Sequence, residues 1–131
     1  MKVRSVLRWL LALAYLGAGL VHLRSPELFL PIMPGWVPFA RETVLLTGVW
    51  EIAGAVALLW PALRPNWWGG VAMAAYAVLV YPANIKHALD GVAVGGELLG
   101  WGYHAPRLAF QPVLVWWALW SARVINWPLR R

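Results

Sequence analysis

A small set of polar side chains could do chemistry in this chain, which is 62% hydrophobic and only 12% charged. They are His22, Glu51, Asn84, His87, Arg107 and Gln111. Imidazole and carboxyl groups exchange protons, whereas amide and guanidinium groups donate hydrogen bonds to carbonyl or anionic groups. The set predicts an outward-facing polar pocket, although the spacing gives none of the six a catalytic role.

The composition excludes several other kinds of site. The sequence has no cysteine, which excludes thiol and disulfide chemistry by this chain, together with Cys-ligated iron–sulfur clusters and haem. It also lacks a phosphate-binding glycine loop and a paired metal-binding motif of the His-Glu-x-x-His kind. We therefore predict no metal site.

The hydrophobic residues fall into four blocks, which predict helices at about residues 5–23, 43–60, 67–85 and 108–124. The two middle blocks each approach the roughly 20 residues with which a helix crosses a bilayer, and they carry one charge between them. A cleaved signal peptide is the alternative for the first block, but no small-residue cleavage site follows Leu23. We predict an all-α membrane protein, a four-transmembrane-helix bundle that forms one domain over residues 1–131.

The basic residues predict how this bundle is oriented. The chain has 11 Lys and Arg against five Asp and Glu, a formal charge of +6. The side of the N-terminus holds Lys2, Arg4, Arg8, Arg64, Arg123, Arg130 and Arg131, and the other side holds Arg24, Arg41, Lys86 and Arg107. Because cytoplasmic segments are enriched in Lys and Arg, both termini are predicted to be cytoplasmic. No nucleic-acid motif accompanies the charge, so the expected partner is the lipid bilayer and not a nucleic acid.

In this orientation all six candidate residues belong to the outer half of the bundle. Glu51 lies roughly 12 Å below the outer face, counted from Thr43 at 1.5 Å per residue. The helical stripes that hold the polar residues also hold small ones, such as Gly19 near His22 and Gly54 near Glu51. Small residues mark the packed faces of membrane helices, so we predict that the polar groups point into one pocket. We also expect Glu51 to be protonated or to share a proton with His22.

Plainer interpretations of these residues stay open. His22 and His87 could be interfacial caps, and the stretch YPANIKHALD could be an ordinary helix end that Pro82 tends to kink. The proline-rich connection at residues 24–42 is predicted to be interfacial, where it either roofs the pocket or rests on the membrane surface. The glycine-rich connection at residues 88–106 is predicted to be a mobile loop.

Residues spread over nearly the whole chain form a further pattern. They are His22, Pro26, Phe29, Leu30, Ile32, Pro34, Pro38, Gly48, Glu51, Ile52, Gly54, Leu58, Leu59, Pro61, Arg64, Pro82, Ala83, Asn84, Arg107, Leu108, Gln111 and Pro112. This pattern resembles that of small DoxX-like membrane proteins. The resemblance implies a multi-pass protein of the bacterial or archaeal cytoplasmic membrane. Some such proteins are subunits of quinone-reducing enzymes, notably thiosulfate:quinone oxidoreductase, which implies a bound quinone as cofactor and other membrane or redox subunits as partners.

Several functions are compatible with the sequence, which holds no self-sufficient catalytic motif. The protein could be a quinone-linked redox subunit in which His22, Glu51 or His87 handles protons. It could instead be a non-catalytic partner or assembly factor that uses its packed faces. A third interpretation is a binder or carrier of a small amphiphile, with Glu51 as a protonatable switch. A haem held by His22 and His87 is the fourth.

Overall fold

The described residues are mainly helical. A computed structural model describes residues 2–60 and 67–128, and within these ranges the chain forms five α-helices. They are α1 (Val3–Arg24), α2 (Ala40–Leu59), α3 (Trp67–Leu79), α4 (Tyr81–Asp90) and α5 (Trp101–Ser121). The predictions above also use Pro61, Arg64, Arg130 and Arg131, which lie outside the described residues.

The helix bundle has two distinct ends. Arg4 at the start of α1 donates a hydrogen bond to Asn126 beyond α5, with 3.2 Å between Nη1 and Oδ1. Trp117 Nε1 donates to the carbonyl oxygen of Leu7 at 3.0 Å. Both ends of the described chain therefore lie together, at what we call the terminal end. The polar end is the opposite one, where α1 and α4 finish and α2 and α5 begin.

The helices α1 and α2 approach each other most closely at two facing glycines. A Cβ atom on Gly19 would lie 2.8 Å from the carbonyl oxygen of Gly48, and one on Gly48 would lie 3.0 Å from that of Gly19. Glycine permits this approach because it has no side chain. In a membrane, small residues at helix interfaces allow the van der Waals contacts that hold helices together.

An apolar core fills the space between α1, α2, α3 and α5. Its buried members are Leu11, Ala12, Tyr15, Ala55, Leu58, Met73, Ala74, Tyr76, Ala118 and Ala122. Small and large residues alternate in this set, which lets the side chains of neighbouring helices interdigitate. The core lies beneath the polar end and supports the side chains that face it.

The predicted third helix, residues 67–85, is interrupted at Val80 and continues further than expected. Pro82 follows the interruption in the first turn of α4. Because proline has no backbone N–H and its ring crowds the carbonyl group four residues earlier, Pro82 breaks the hydrogen-bond ladder at Val78. The two helices still form one apolar stretch, Trp67–Asp90, that is long enough to cross a membrane.

The predicted fourth helix, residues 108–124, is displaced toward the polar end. The helix α5 begins at Trp101 and ends at Ser121, so the glycine-rich connection occupies only residues 91–100. The predicted loop at 88–106 therefore extended too far, because its glycines indicated a loop where the first turns of α5 lie. At the other end Arg123 adopts a left-handed backbone with φ 65°, a conformation that cannot continue a right-handed helix.

The proline-rich segment between α1 and α2 lies against the polar end. It forms two short 3₁₀-helices, Pro26–Leu28 and Leu30–Ile32. The ring of Phe29 stacks on that of His22 with 3.9 Å between ring centroids. Lys86 Nζ donates to the carbonyl oxygen of Pro31 at 3.2 Å, which ties the segment to α4. The segment thus covers the helix ends.

Three helical stretches are long and apolar enough to cross a membrane: Val3–Arg24, Ala40–Leu59 and Trp67–Asp90. The helix α5 has a sufficient length of 21 residues, but its first half carries polar side chains such as Arg107 and Gln111. The described chain is therefore all-helical with three candidate membrane spans. A fourth crossing by α5 stays a prediction.

The variant Gly19→Ala is expected to destabilise the bundle, because its methyl group would collide with the α2 backbone. Gly17 is the matched control on the same helix, since no atom lies within 4 Å of a Cβ added there. We expect Gly19→Ala to lower the free energy of unfolding by about 1–3 kcal/mol and Gly17→Ala to raise it by up to about 1 kcal/mol. Thermal unfolding in lipid nanodiscs measures both variants, and equal melting temperatures would contradict the close contact with Gly48.

Candidate functional site

A cavity of about 220 Å³ lies at the polar end, between the helices. All five α-helices or the turns next to them contribute to its wall, and Phe29, Ile32 and Met33 of the proline-rich segment cover it. Five of the six predicted site residues line it: His22, Glu51, Asn84, Arg107 and Gln111. The fold thus brings together polar side chains that are far apart in the sequence.

His22 and Glu51 form a close pair where α1 meets α2. Nδ1 of His22 lies 2.8 Å from Oε2 of Glu51 and 2.9 Å from the carbonyl oxygen of Ala18. The ring N–H points toward Ala18, so the Glu51 oxygen lies beside it without a well-aligned hydrogen bond. Because the Ala18 carbonyl group can only accept, Nδ1 carries a proton and the Glu51 oxygen is a second acceptor for it.

Hydroxyl groups complete the surroundings of the Glu51 carboxyl group. The side chain of Tyr76 faces both Glu51 and Thr47, and all three line the cavity. The ring of Tyr15 packs edge-on against that of Tyr76, with 5.8 Å between centroids. Glu51 is only 2% exposed, and a buried carboxyl group is costly unless polar partners surround it. The imidazole and the hydroxyl groups are such partners.

A hydrogen-bonded network of α4 and α5 forms the opposite wall. Arg107 Nη2 donates to Asn84 Oδ1, and Asn84 Nδ2 donates to Gln111 Oε1 at 3.3 Å. Gln111 Nε2 donates at 2.7 Å to the carbonyl oxygen of Ala77, in the last turn of α3. The last carbonyl groups of a helix have no partner within it, so Gln111 satisfies one of them. The network fixes the orientation of both amides.

His87 does not line the cavity but lies behind Arg107. Its Nδ1 accepts a hydrogen bond from Arg107 Nη1 at 3.1 Å, and its ring lies 4.6 Å from that of His104. The prediction placed His87 in the pocket because it follows Asn84 by one turn. Because α5 starts early, His87 has His104 as a neighbour. His22 and His87 therefore do not face each other across the cavity, as a haem bound by both would require.

Sequence reasoning did not select Tyr76, Thr47 or His104 as site residues. Tyr76 precedes Asn84 by eight residues, and Thr47 precedes Glu51 by four, so helical spacing could have added both to the site. His104 precedes Arg107 by three residues, but it was assigned to a loop. Recognising the first turns of α5 would have placed it on the face that holds Arg107.

The cavity combines two kinds of polar wall. One wall holds a proton-exchanging pair, His22 and Glu51, and the other holds amide and guanidinium donors. A ligand between them could accept hydrogen bonds from one side and exchange a proton with the other. Within residues 2–60 and 67–128, no three His, Cys, Asp or Glu side chains lie close enough together to hold a metal ion.

Comparison with known proteins connects this chain to a family. Residues 11–122 match the model of a family described as a domain of unknown function, DUF8561. The chain belongs to this family. No curated protein and no solved structure matches it significantly. The resemblance to DoxX-like proteins gains no support from these comparisons and stays a prediction.

The variant Glu51→Lys is expected to impair folding far more than Glu51→Gln, because it buries an ammonium group beside His22. Glu27→Lys is the matched control, since Glu27 is exposed and also lies beside a basic residue, Arg41. We expect a loss of about 3–5 kcal/mol in the free energy of unfolding for Glu51→Lys and of about 1 kcal/mol or less for Glu27→Lys. Thermal unfolding and folded yield measure the difference. Equal losses for the two Lys variants would show that Glu51 is not in a buried polar site.

Proposed function

We propose that the chain binds the headgroup of a lipid-soluble quinone in the cavity at the polar end, as a quinone-linked subunit of a membrane redox complex. The observation that carries this proposal is the pairing of two walls across one cavity. His22 and Glu51 stand on one side, and Asn84, Arg107 and Gln111 stand on the other. A quinone ring presents two carbonyl oxygens on opposite edges, and each of them needs a hydrogen-bond donor.

The donors for such a ring are available on both walls. The bonds from Arg107 to Asn84 and His87 use two of its five N–H groups, so others are left for a ligand. On the opposite wall, the hydroxyl group of Tyr76 can donate, and His22 can donate through Nε2 when its ring carries a second proton. The apolar core beneath the cavity lowers the local polarity, which strengthens these hydrogen bonds.

The His22–Glu51 pair gives the site a means of moving protons. Reduction of a quinone to a quinol takes up two electrons and two protons. We propose that the electrons come from a partner redox subunit, because this chain has no cysteine to hold an iron–sulfur cluster of its own. The paired imidazole and carboxyl groups would pass one proton to the ring oxygen that faces them, and the second proton would reach the opposite ring oxygen from water at the polar end. The chain would then act as the quinone-binding part of a larger enzyme.

The same proposal includes an orientation in the membrane. Both ends of the described chain lie at the terminal end, which supports an even number of crossings, and we propose α5, a helix of 21 residues, as the fourth. Lys2, Arg4 and Arg8 also lie at that end, in agreement with cytoplasmic termini. From the DoxX-like pattern we propose the cytoplasmic membrane of a bacterium or archaeon as the location.

Binding of a headgroup probe tests the function. The probe is 2,3-dimethoxy-5-methyl-1,4-benzoquinone, and its affinity is measured by calorimetry on the protein in nanodiscs. We expect saturable binding that Glu51→Gln weakens about tenfold, because the neutral amide no longer favours a protonated His22 ring that can donate to the ligand. Glu27→Gln makes the same chemical change on an exposed side chain and should leave the affinity unchanged.

Other results would favour the other interpretations. Binding without any dependence on Glu51 would contradict the proposed site. Binding of many unrelated amphiphiles with equal affinity would indicate a general carrier. Absence of binding, together with co-purification of an intact membrane enzyme, would indicate an assembly partner.

A further inference from the structure

A second cavity of about 280 Å³ lies between α2 and the α3–α4 pair, and we call it the apolar groove. Its α2 wall includes Leu46 and Trp50, and Leu79 contributes from α3. Trp36 and Val37 of the proline-rich segment close it toward the polar end. The groove therefore runs along the flank of the bundle and not through its centre.

Three polar groups in the apolar groove are hydrogen-bonded within the protein. Thr43 Oγ1 donates to the carbonyl oxygen of Pro38 at 3.2 Å, and Thr47 Oγ1 donates to that of Val44 at 2.6 Å. Trp50 Nε1 donates at 3.0 Å to the carbonyl oxygen of Ala72 on α3. These bonds occupy three of the donors that a polar ligand would use. The chemistry of the groove therefore favours a hydrocarbon occupant.

The groove opens sideways. The bond between Trp50 and the α3 backbone closes it toward the terminal end, and the proline-rich segment closes it toward the polar end. Between these closures Leu46 is 64% exposed and Leu79 is 71% exposed. In a bilayer, the side of a membrane-spanning helix pair faces acyl chains. A hydrocarbon chain can thus lie in the groove and continue into the lipid.

The groove and the polar cavity share part of their walls. Both are lined by Met33, Thr47, Tyr76, Val80 and Ala83. Tyr76 contributes a different part of its side chain to each cavity: its hydroxyl group faces Glu51, and its ring borders the groove. Met33 is unbranched and flexible, which lets a wall of this kind adapt its shape to a ligand. The polar cavity and the apolar groove therefore adjoin each other along this shared wall.

We infer that the ligand is a single-tailed amphiphile whose headgroup occupies the polar cavity and whose apolar tail lies in the groove between α2 and α3. This inference rests on the proposed headgroup site. One groove accommodates one chain, which distinguishes a prenylated or alkylated ring from a two-chain phospholipid. The ligand would reach the site from the bilayer, between the two helices, and not from water.

Two probes that share a headgroup test the inference. One is 2,3-dimethoxy-5-methyl-1,4-benzoquinone, and the other is its 6-decyl derivative. We expect Leu46→Trp, which fills the groove, to weaken binding of the decyl probe about tenfold and to change binding of the tailless probe less than twofold. Leu79→Trp should act in the same way from the other wall. Both side chains are exposed, so neither change disturbs the core.

The matched control is Leu20→Trp on α1, an exposed leucine that lines neither cavity and should affect neither probe. If the tailless probe binds and both groove variants leave the decyl probe unaffected, the tail site is wrong and the headgroup site stands. If the variants weaken both probes equally, the groove has no separate role and the inference is overturned. If neither probe binds the unmodified protein, the proposed function and the tail site both fail.

Discussion

A carboxyl group inside an apolar bundle needs polar partners, and this need connects the packing of the helices to the cavity. Gly19 and Gly48 let α1 and α2 touch at the backbone, and one turn further along each helix stand His22 and Glu51. Their close pair depends on that approach, since a wider separation would leave the Glu51 oxygen without the imidazole. The contact between Gly19 and Gly48 thus packs the two helices together and also brings His22 and Glu51 close enough to form one wall of the cavity.

The opposite wall follows from a second local constraint. Pro82 interrupts the helix after α3, and α4 then presents Asn84 toward α5. Gln111 bonds the carbonyl oxygen of Ala77 in the last turn of α3, so the interruption is stabilised from α5. Two walls with different chemistry arise in this way from one bundle. The apolar groove lies beside the cavity, and Tyr76 lines both of them.

The helical class and much of the cavity could be predicted from the sequence, because long apolar blocks mark the helices and the few polar residues within them mark the cavity. A buried carboxyl group is costly, so Glu51 could be assigned an inward position from its depth together with the small residues on its helix face. The early start of α5 could not be predicted, because glycine and proline near residue 100 indicate a loop when the neighbouring helices are unknown. His104 was missed and His87 was assigned to the cavity for that reason. Tyr76 was missed although its spacing from Asn84 is compatible with the site, because tyrosine is also common near membrane interfaces.

The central claim is that His22 and Glu51 form a pair in which Nδ1 carries a proton and the Glu51 oxygen lies next to it. The most direct measurement is ¹⁵N nuclear magnetic resonance of the histidine rings in labelled protein, reconstituted in lipid bilayers. The chain has three histidines, so the His22 signals can be assigned by replacing each in turn. The account predicts a protonated Nδ1 whose resonance shifts in Glu51→Gln and stays in place in Glu27→Gln. Ring signals of His22 that are identical in the unmodified protein and in Glu51→Gln would contradict it.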